Sequence, residues 1–210
     1  MWAYGLLLIS LNILGRAPVA GEVKTRLIPA LGAQGAANAH KKLLSHVVGV
    51  GKSWCERVVK RDLKLWCTPN TTHPFFDSLL DSSQRYQQPE GDLGVRMSAI
   101  VTHELQKYDS VILLGGDGVS VSKALLNRVE AALNEVPVVM ASAQDGGYIL
   151  IAMATFAPSL FTNMPWGTES VAQETRLRLN SMGWQWQDFP DQWDVDSSHD
   201  WERFKNDLQP

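Results

Sequence analysis

The sequence is poor in cysteine, in one-sided charge and in long apolar runs, and each shortage excludes a class of protein. Only two of its 210 residues are cysteine. Cys55 and Cys67 form no C-x-x-C pair and no ligand cluster with the histidines, and a single disulfide between them is the alternative to free thiols. They read as two buried thiols in a reducing compartment. Lys and Arg number 19 against 22 Asp and Glu, a formal charge of −3. That leaves no broad basic face of the kind nucleic acids need. A small anionic ligand remains open, since a few local cations suffice for it. The apolar run Leu6 to Leu14 is too short to cross a membrane as a helix. No Lys or Arg precedes it, and Pro18 lies at −3 from Ala20, a poor cleavage site. It reads as a buried first strand, which makes the protein cytoplasmic with no membrane span. No Gly/Ser or Pro-rich linker and no internal repeat divides the chain, so residues 1–210 read as one domain.

Familiar chemical motifs are also missing. There is no G-x-S-x-G nucleophile elbow. The five histidines show no metal-ligand spacing. The stretch Gly49-Val-Gly-Lys-Ser53 imitates a phosphate-binding loop, but His46 stands where that motif requires Gly and no strand precedes it.

What is present is ordinary globular composition, 45% hydrophobic and 20% charged, which excludes disorder. Strands are expected at Leu6–Leu14, Leu63–Cys67, Ser110–Leu114, Pro137–Ala141, Tyr148–Met153 and Trp184–Phe189. Several are continuous apolar runs, as strands buried on both faces require. Helices are expected at Ala36–Val48, Phe75–Leu80, Leu93–Gln106, Ser122–Asn134, Glu169–Ser181 and His199–Leu208. Ser122 is suited to cap the fourth of these. The alternation predicts an α/β fold, a three-layer α/β/α sandwich around a mostly parallel sheet. Thr68 to Glu90, with three prolines and a polar run, reads as a surface excursion that covers a site.

Open α/β sheets bind ligands beyond the carboxyl ends of their strands, and four segments there carry unusual residues. The first, Arg16 to Leu27, holds Arg16, Lys24 and Arg26, with Gly21 allowing close backbone approach. Arg grips phosphate through paired hydrogen bonds and Lys supplies a compact charge; the plain alternative is a solvated basic loop. In the second, an apolar strand runs into Gly115-Gly116-Asp117-Gly118. A carboxylate there can hold Mg²⁺ or Mn²⁺ together with substrate phosphates, or it can serve a turn. The third, Ala143-Gln-Asp-Gly-Gly-Tyr148, offers Asp145 as a proton acceptor or hydroxyl binder, against a plain hairpin turn. In the fourth, Asp194 and Asp196 alternate, so an extended backbone points both to one side; alternatively they lead into the N-cap of the last helix.

Six pieces recur in order: Arg16 to Leu27, Gly91-Asp-Leu-Gly-Val-Arg-Met97, Gly115-Gly-Asp117, Asp145-Gly-Gly-Tyr148, Trp166-Gly-Thr168 and Asp194-Val-Asp196. In these the chain resembles a family of small bacterial GT-A-like proteins, the glycosyltransferases of the radical-SAM/selenodomain-associated type, within the nucleotide-diphospho-sugar transferase superfamily. The resemblance implies a GT-A fold and transfer of a sugar from a nucleoside diphosphate sugar to a small acceptor, with Mg²⁺ or Mn²⁺. It implies that Arg16, Gly21, Lys24 and Arg26 hold the nucleotide phosphates. Asp117 and Asp196 would hold the metal, with Asp194 as the alternative to Asp196. Asp92 and Arg96 would lie near the sugar or acceptor. Gly146, Gly147, Tyr148, Trp166 and Thr168 would complete the substrate side, Trp166 by stacking its indole. Asp145 and Asp117 would be the catalytic pair. Nucleotidyl transfer with release of pyrophosphate is the alternative activity, and a non-catalytic partner on the same scaffold is a third. The family pattern Gly-Ser/Thr-Asp-Cys/Ser-Pro reads Gly115 to Val119 here, so its proline is lost, and the turn after Asp117 is expected to loosen.

Overall fold

The computed structural model describes residues 7–207. Leu6 and Leu208, the outer ends of two expected elements, lie outside them. The strands are β1 (Ile9–Arg16), β2 (Arg61–Thr68), β3 (Arg85–Gln87), β4 (Ser110–Gly115), β5 (Val138–Ser142), β6 (Tyr148–Met153) and β7 (Trp186–Asp188). The helices are α1 (Ile28–Cys55), α2 (Pro74–Asp77), α3 (Leu93–Glu104), α4 (Lys123–Leu133), α5 (Val171–Ser181) and α6 (Ser198–Asp207). They build an α/β fold on one seven-stranded sheet in the order β3-β2-β1-β4-β6-β5-β7. Every pairing is parallel except those of β6, which runs antiparallel to β4 and β5.

The period of two along each strand divides the core. Ile9, Leu11 and Ile13 of β1 point to one face with Leu44, Val47, Leu126 and Val129 from α1 and α4. Val111, Leu113, Val138 and Met140 point to the other, with Met97, Ile100 and Leu179 from α3 and α5. Strands buried on both faces need continuous apolar runs, and β4, β5 and β6 supply them. The second face also buries an ion pair: Lys64 Nζ lies 2.6 Å from a Glu104 carboxylate oxygen that accepts from the Ser10 hydroxyl as well. Among the described residues no helix is long and apolar enough to cross a membrane.

Several expected boundaries shift. α1 begins eight residues before Ala36 because Pro29 opens it, and it bends at Gly32, whose φ of 70° is not helical. The Gly49–Ser53 stretch lies inside α1, which leaves no loop to cradle a phosphate. The expected helix Phe75–Leu80 stops at Asp77. The excursion after Thr68 is partly structural. Its residues 85–87 pair with Leu65–Cys67 as an edge strand, and Phe76 is fully buried. None of residues 68–90 lines the clefts at the strand ends, so the excursion does not cover them.

Candidate active site

The loop after β1 turns back through a left-handed residue, Lys24 (φ 45°, ψ 46°), into a single 3-10 turn, Thr25–Leu27. Leu27 is fully buried and anchors the turn. This delivers Lys24 to the end of β4. Its ammonium donates to Asp117 Oδ2 at 2.6 Å and to Asp196 Oδ1 at 3.0 Å. Arg26 donates to the second oxygen of Asp196 at 2.8 Å. Burial opposes the charge on Lys24, but Asp117 and Asp196 outweigh it and raise its pKa to about 12. Burial also opposes the charge on Asp117, and Lys24 outweighs that too, holding the carboxyl below its ordinary range.

Asp194 joins the pair. Fully buried Val195 separates it from Asp196, and Asp117, Asp194 and Asp196 each offer an oxygen within 4.8 Å of the others. Burial and then the neighbouring Asp117, Asp196 and Asp145 push the Asp194 carboxyl up to about 7. Three oxygen donors crowded to the point of mutual repulsion suit a hard divalent cation such as Mg²⁺ or Mn²⁺, and the Lys24 ammonium pairs with two of the three carboxylates.

Two clefts meet at this cluster. The smaller, about 330 Å³, is lined by Arg16, Lys24, Arg26, His40 and Gly116. The larger, about 630 Å³, is lined by Asp145, Tyr148, Trp166, Thr168, Leu93 and Met97 among others. Asp117, Asp196, Arg26 and Leu14 belong to both. Arg16 is exposed at the end of β1. Gly21 takes φ 87° on the exposed rim and lines neither cleft. Asp145 sits at the tip of the β5–β6 hairpin, where one oxygen accepts from the Gly147 N–H at 2.9 Å. The Tyr148 and Trp166 rings meet edge to face, 6.3 Å between centroids. Thr168 hydrogen-bonds to the Pro165 carbonyl at 2.8 Å on the exposed lip.

Three expected substrate residues are placed otherwise. Asp92 caps α3, accepting from the Val95 N–H at 2.9 Å. Arg96 donates to the Gly91 carbonyl and to Gln88. Neither lines the two clefts, and α3 reaches only the larger one, through Leu93 and Met97. Gly146 is covered by backbone. With φ 88°, a Cβ there would stand 1.9 Å from the Glu169 carbonyl oxygen.

Two further residues gave no sequence signal. His40 is buried in α1, with Nε2 2.9 Å from the Arg16 carbonyl oxygen. Burial holds its pKa below the ordinary value, so it anchors the loop as a neutral ring. Arg178 of α5 donates to the carbonyls of Ser159, Leu160, Thr162 and Asn163, which shapes the segment leading to Trp166. The turn after Asp117 is not loose either. Val119 is 6% exposed in a cluster with Leu27, Leu43, Val195 and Phe204, so packing fixes what proline would have fixed. A Cβ at Gly118 would stand 2.7 Å from Ile149, so the turn has no room for a larger residue there.

A family model described as "Uncharacterized protein conserved in bacteria (DUF2064)" matches residues 54–168, more than half of the chain. The match includes Asp117, Asp145 and Trp166. No curated protein matches. Among solved structures, the chain is similar to a protein described as a candidate nucleotide-diphospho-sugar transferase from Desulfovibrio desulfuricans G20. The identity is 26% and the TM-score 0.79, over 90% of this chain and 82% of that one. It is also similar to a CMP:2-keto-3-deoxy-manno-octonic acid synthetase complexed with CTP, with 10% identity and TM-score 0.62 over 95% and 98% of the chains. A third is Rv0371C of Mycobacterium tuberculosis H37Rv in complex with manganese, with 12% identity and TM-score 0.53 over 96% and 100%. The last two likenesses establish the fold alone.

Proposed function

Since the chain belongs to DUF2064, a bacterial family described without an activity, we propose from its site that it is a metal-dependent transferase. In this reading it moves a sugar from a nucleoside diphosphate sugar to a small hydroxylated acceptor. The observation that carries the reading is Lys24 bridging Asp117 and Asp196 where two clefts meet. A cationic cleft on one side suits a diphosphate, and a wider cleft with an indole and a carboxylate on the other suits a sugar and its acceptor. The similarity to a nucleotide-diphospho-sugar transferase and the six ordered motifs support it, and on those motifs we place the chain with the radical-SAM/selenodomain-associated type. We place the reaction in the cytoplasm, in keeping with two free thiols.

Asp117, Asp194 and Asp196 would hold the divalent ion, which when bound supplies charge neutralisation to the leaving diphosphate. Arg16, Lys24 and Arg26 orient that diphosphate and take up the negative charge that grows on it as the anomeric carbon–oxygen bond breaks. Asp145 accepts the acceptor's hydroxyl proton as its oxygen bonds to the anomeric carbon. One Asp145 oxygen is held by Gly147, which leaves the other for this task. The nucleoside diphosphate departs. Trp166 offers a stacking face for the sugar.

Nucleotidyl transfer is the second reading, favoured by the same cations and by the likeness in fold to the CTP-bound synthetase. Products separate the two. Incubation with UDP- and GDP-sugars and Mn²⁺ should release free nucleoside diphosphate. Release of pyrophosphate from nucleoside triphosphates with a phosphorylated acid, and none from nucleotide sugars, would reverse the order of the two readings.

A further inference from the structure

Lys24 stands where a metal would compete with it. Its ammonium takes one oxygen of Asp117 and one of Asp196, at 2.6 and 3.0 Å, and Arg26 takes the other oxygen of Asp196 at 2.8 Å. Both oxygens of Asp196 are therefore engaged by cations. Lys24 is also well held, with a side chain only 9% exposed, yet its backbone sits in the left-handed region at φ 45°. Non-glycine residues occupy that region at a cost, and they persist there where the surroundings impose it. The ion pairs and the buried Leu27 are what impose it here. A divalent ion cannot take the oxygens that the ammonium holds while the ammonium stays, because two cations at contact distance repel. The adjoining cleft, lined by Arg16, Lys24 and Arg26, offers Lys24 a different anion to pair with.

We propose that Lys24 is a resident counter-ion that makes metal binding conditional on the diphosphate. Without nucleotide it neutralises Asp117 and Asp196 and keeps divalent ions out. When a diphosphate enters the smaller cleft, the ammonium transfers to phosphate oxygen, and the carboxylates become available to the metal. The two ligands then favour each other's binding, since linkage is reciprocal. The effect is protective as well as cooperative. The carboxylates are never left bare, and metal is recruited only with the substrate whose charge it balances. This inference rests on the proposed metal–diphosphate site, and its test separates the two.

The test is a Mn²⁺ titration of the full chain without nucleotide, following free Mn²⁺ by electron paramagnetic resonance. Lys24→Met keeps the length of the side chain and removes its charge, and Lys24→Gln is a second neutral variant in case the first folds poorly. Lys24→Arg keeps the charge. Both neutral variants should bind Mn²⁺ about tenfold tighter or more than the native chain, within the ordinary span of coupling between two sites, and Lys24→Arg should stay weak. Mn²⁺ should also raise the melting temperature of the neutral variants more than that of the native chain. Equal Mn²⁺ affinity in native and neutral chains overturns the role of Lys24 and leaves the metal site standing. Absence of Mn²⁺ binding in every variant, neutral ones included, overturns the inference and the metal site together.

Discussion

Gly146 and Glu169 approach so closely that a Cβ on residue 146 would lie 1.9 Å from the Glu169 carbonyl oxygen. The contact ties the β5–β6 hairpin, which carries Asp145, to the segment that carries Trp166 and Thr168. The Ala172 N–H reinforces it by donating to the Gly146 carbonyl at 2.9 Å. Gly146→Ala should therefore lower the unfolding free energy by about 3 kcal/mol, from the positive φ and the backbone clash together. Urea denaturation measures it. A loss under about 0.5 kcal/mol, the ordinary range for surface changes, would mean that the hairpin yields freely.

Asp117→Asn should abolish metal-dependent turnover and leave the fold intact. The amide keeps the shape of the side chain but loses the charge that pairs with Lys24 and the anionic oxygen a divalent ion needs. A fall of about a hundredfold or more in kcat is expected for removal of a group that stabilises developing charge. Far-ultraviolet circular dichroism checks the fold, and full activity in this variant would remove Asp117 from the metal site.

Asp145→Asn should act differently. Its amide oxygen can still accept from the Gly147 N–H, so the hairpin survives, but it cannot take a proton. We expect kcat to fall about 10²- to 10⁴-fold, the usual worth of a general base, with nucleotide affinity unchanged by calorimetry. A parallel loss of nucleotide affinity would show Asp145 to be a binding group.

The thiols give a prediction about pH. Burial is the main cause that pushes Cys55 and Cys67 each up from 9.0 to about 12. A disulfide reagent at pH 8 should modify the native chain slowly and the denatured chain at two thiols, because the thiolate is the reactive form. The sign for stability follows. Between pH 9 and 12 the unfolded chain releases protons that the folded chain keeps, so stability falls as pH rises through that window. The Lys24 ion pairs, with a pKa raised from 10.5 to about 12, are lost over an overlapping range. Cys67→Ala should make the alkaline decline shallower in denaturation measured from pH 8 to 11.

The sheet was largely legible because β4, β5 and β6 are apolar on both faces, and a run as short and apolar as Val111 to Leu114 suits a strand covered on both sides. β3 was not, since Arg85–Gln87 is a short polar edge strand held by its pairing with β2 and by contacts such as Arg85 with Asp77 and Tyr86 with Trp66, none of which shows in its pattern. The candidate site was legible as segments. The loop from Arg16, the Gly-Gly-Asp strand end and the alternation of Asp194 with Asp196 all point beyond the strand ends. Their meeting was not legible, because Lys24 and Asp117 lie 93 residues apart and only the strand order brings them together. Asp92 and Arg96 show the converse. The resemblance implies a place near the substrate for them, while capping and loop contacts engage both side chains locally.

The four carbonyl oxygens gathered by Arg178 bear on how this cleft can change over time. Within residues 159–163 the Arg178 guanidinium grips only main chain, while its Nε pairs with Glu174, so this hold does not depend on the side chains that stretch exposes. Leu160 and Phe161 are buried in the core and are fixed by packing, whereas the exposed Ser159 and Thr162 can change without slackening the segment that leads to Trp166. Changing those exposed positions therefore alters the surface before Trp166 while the main-chain grip stays as it is.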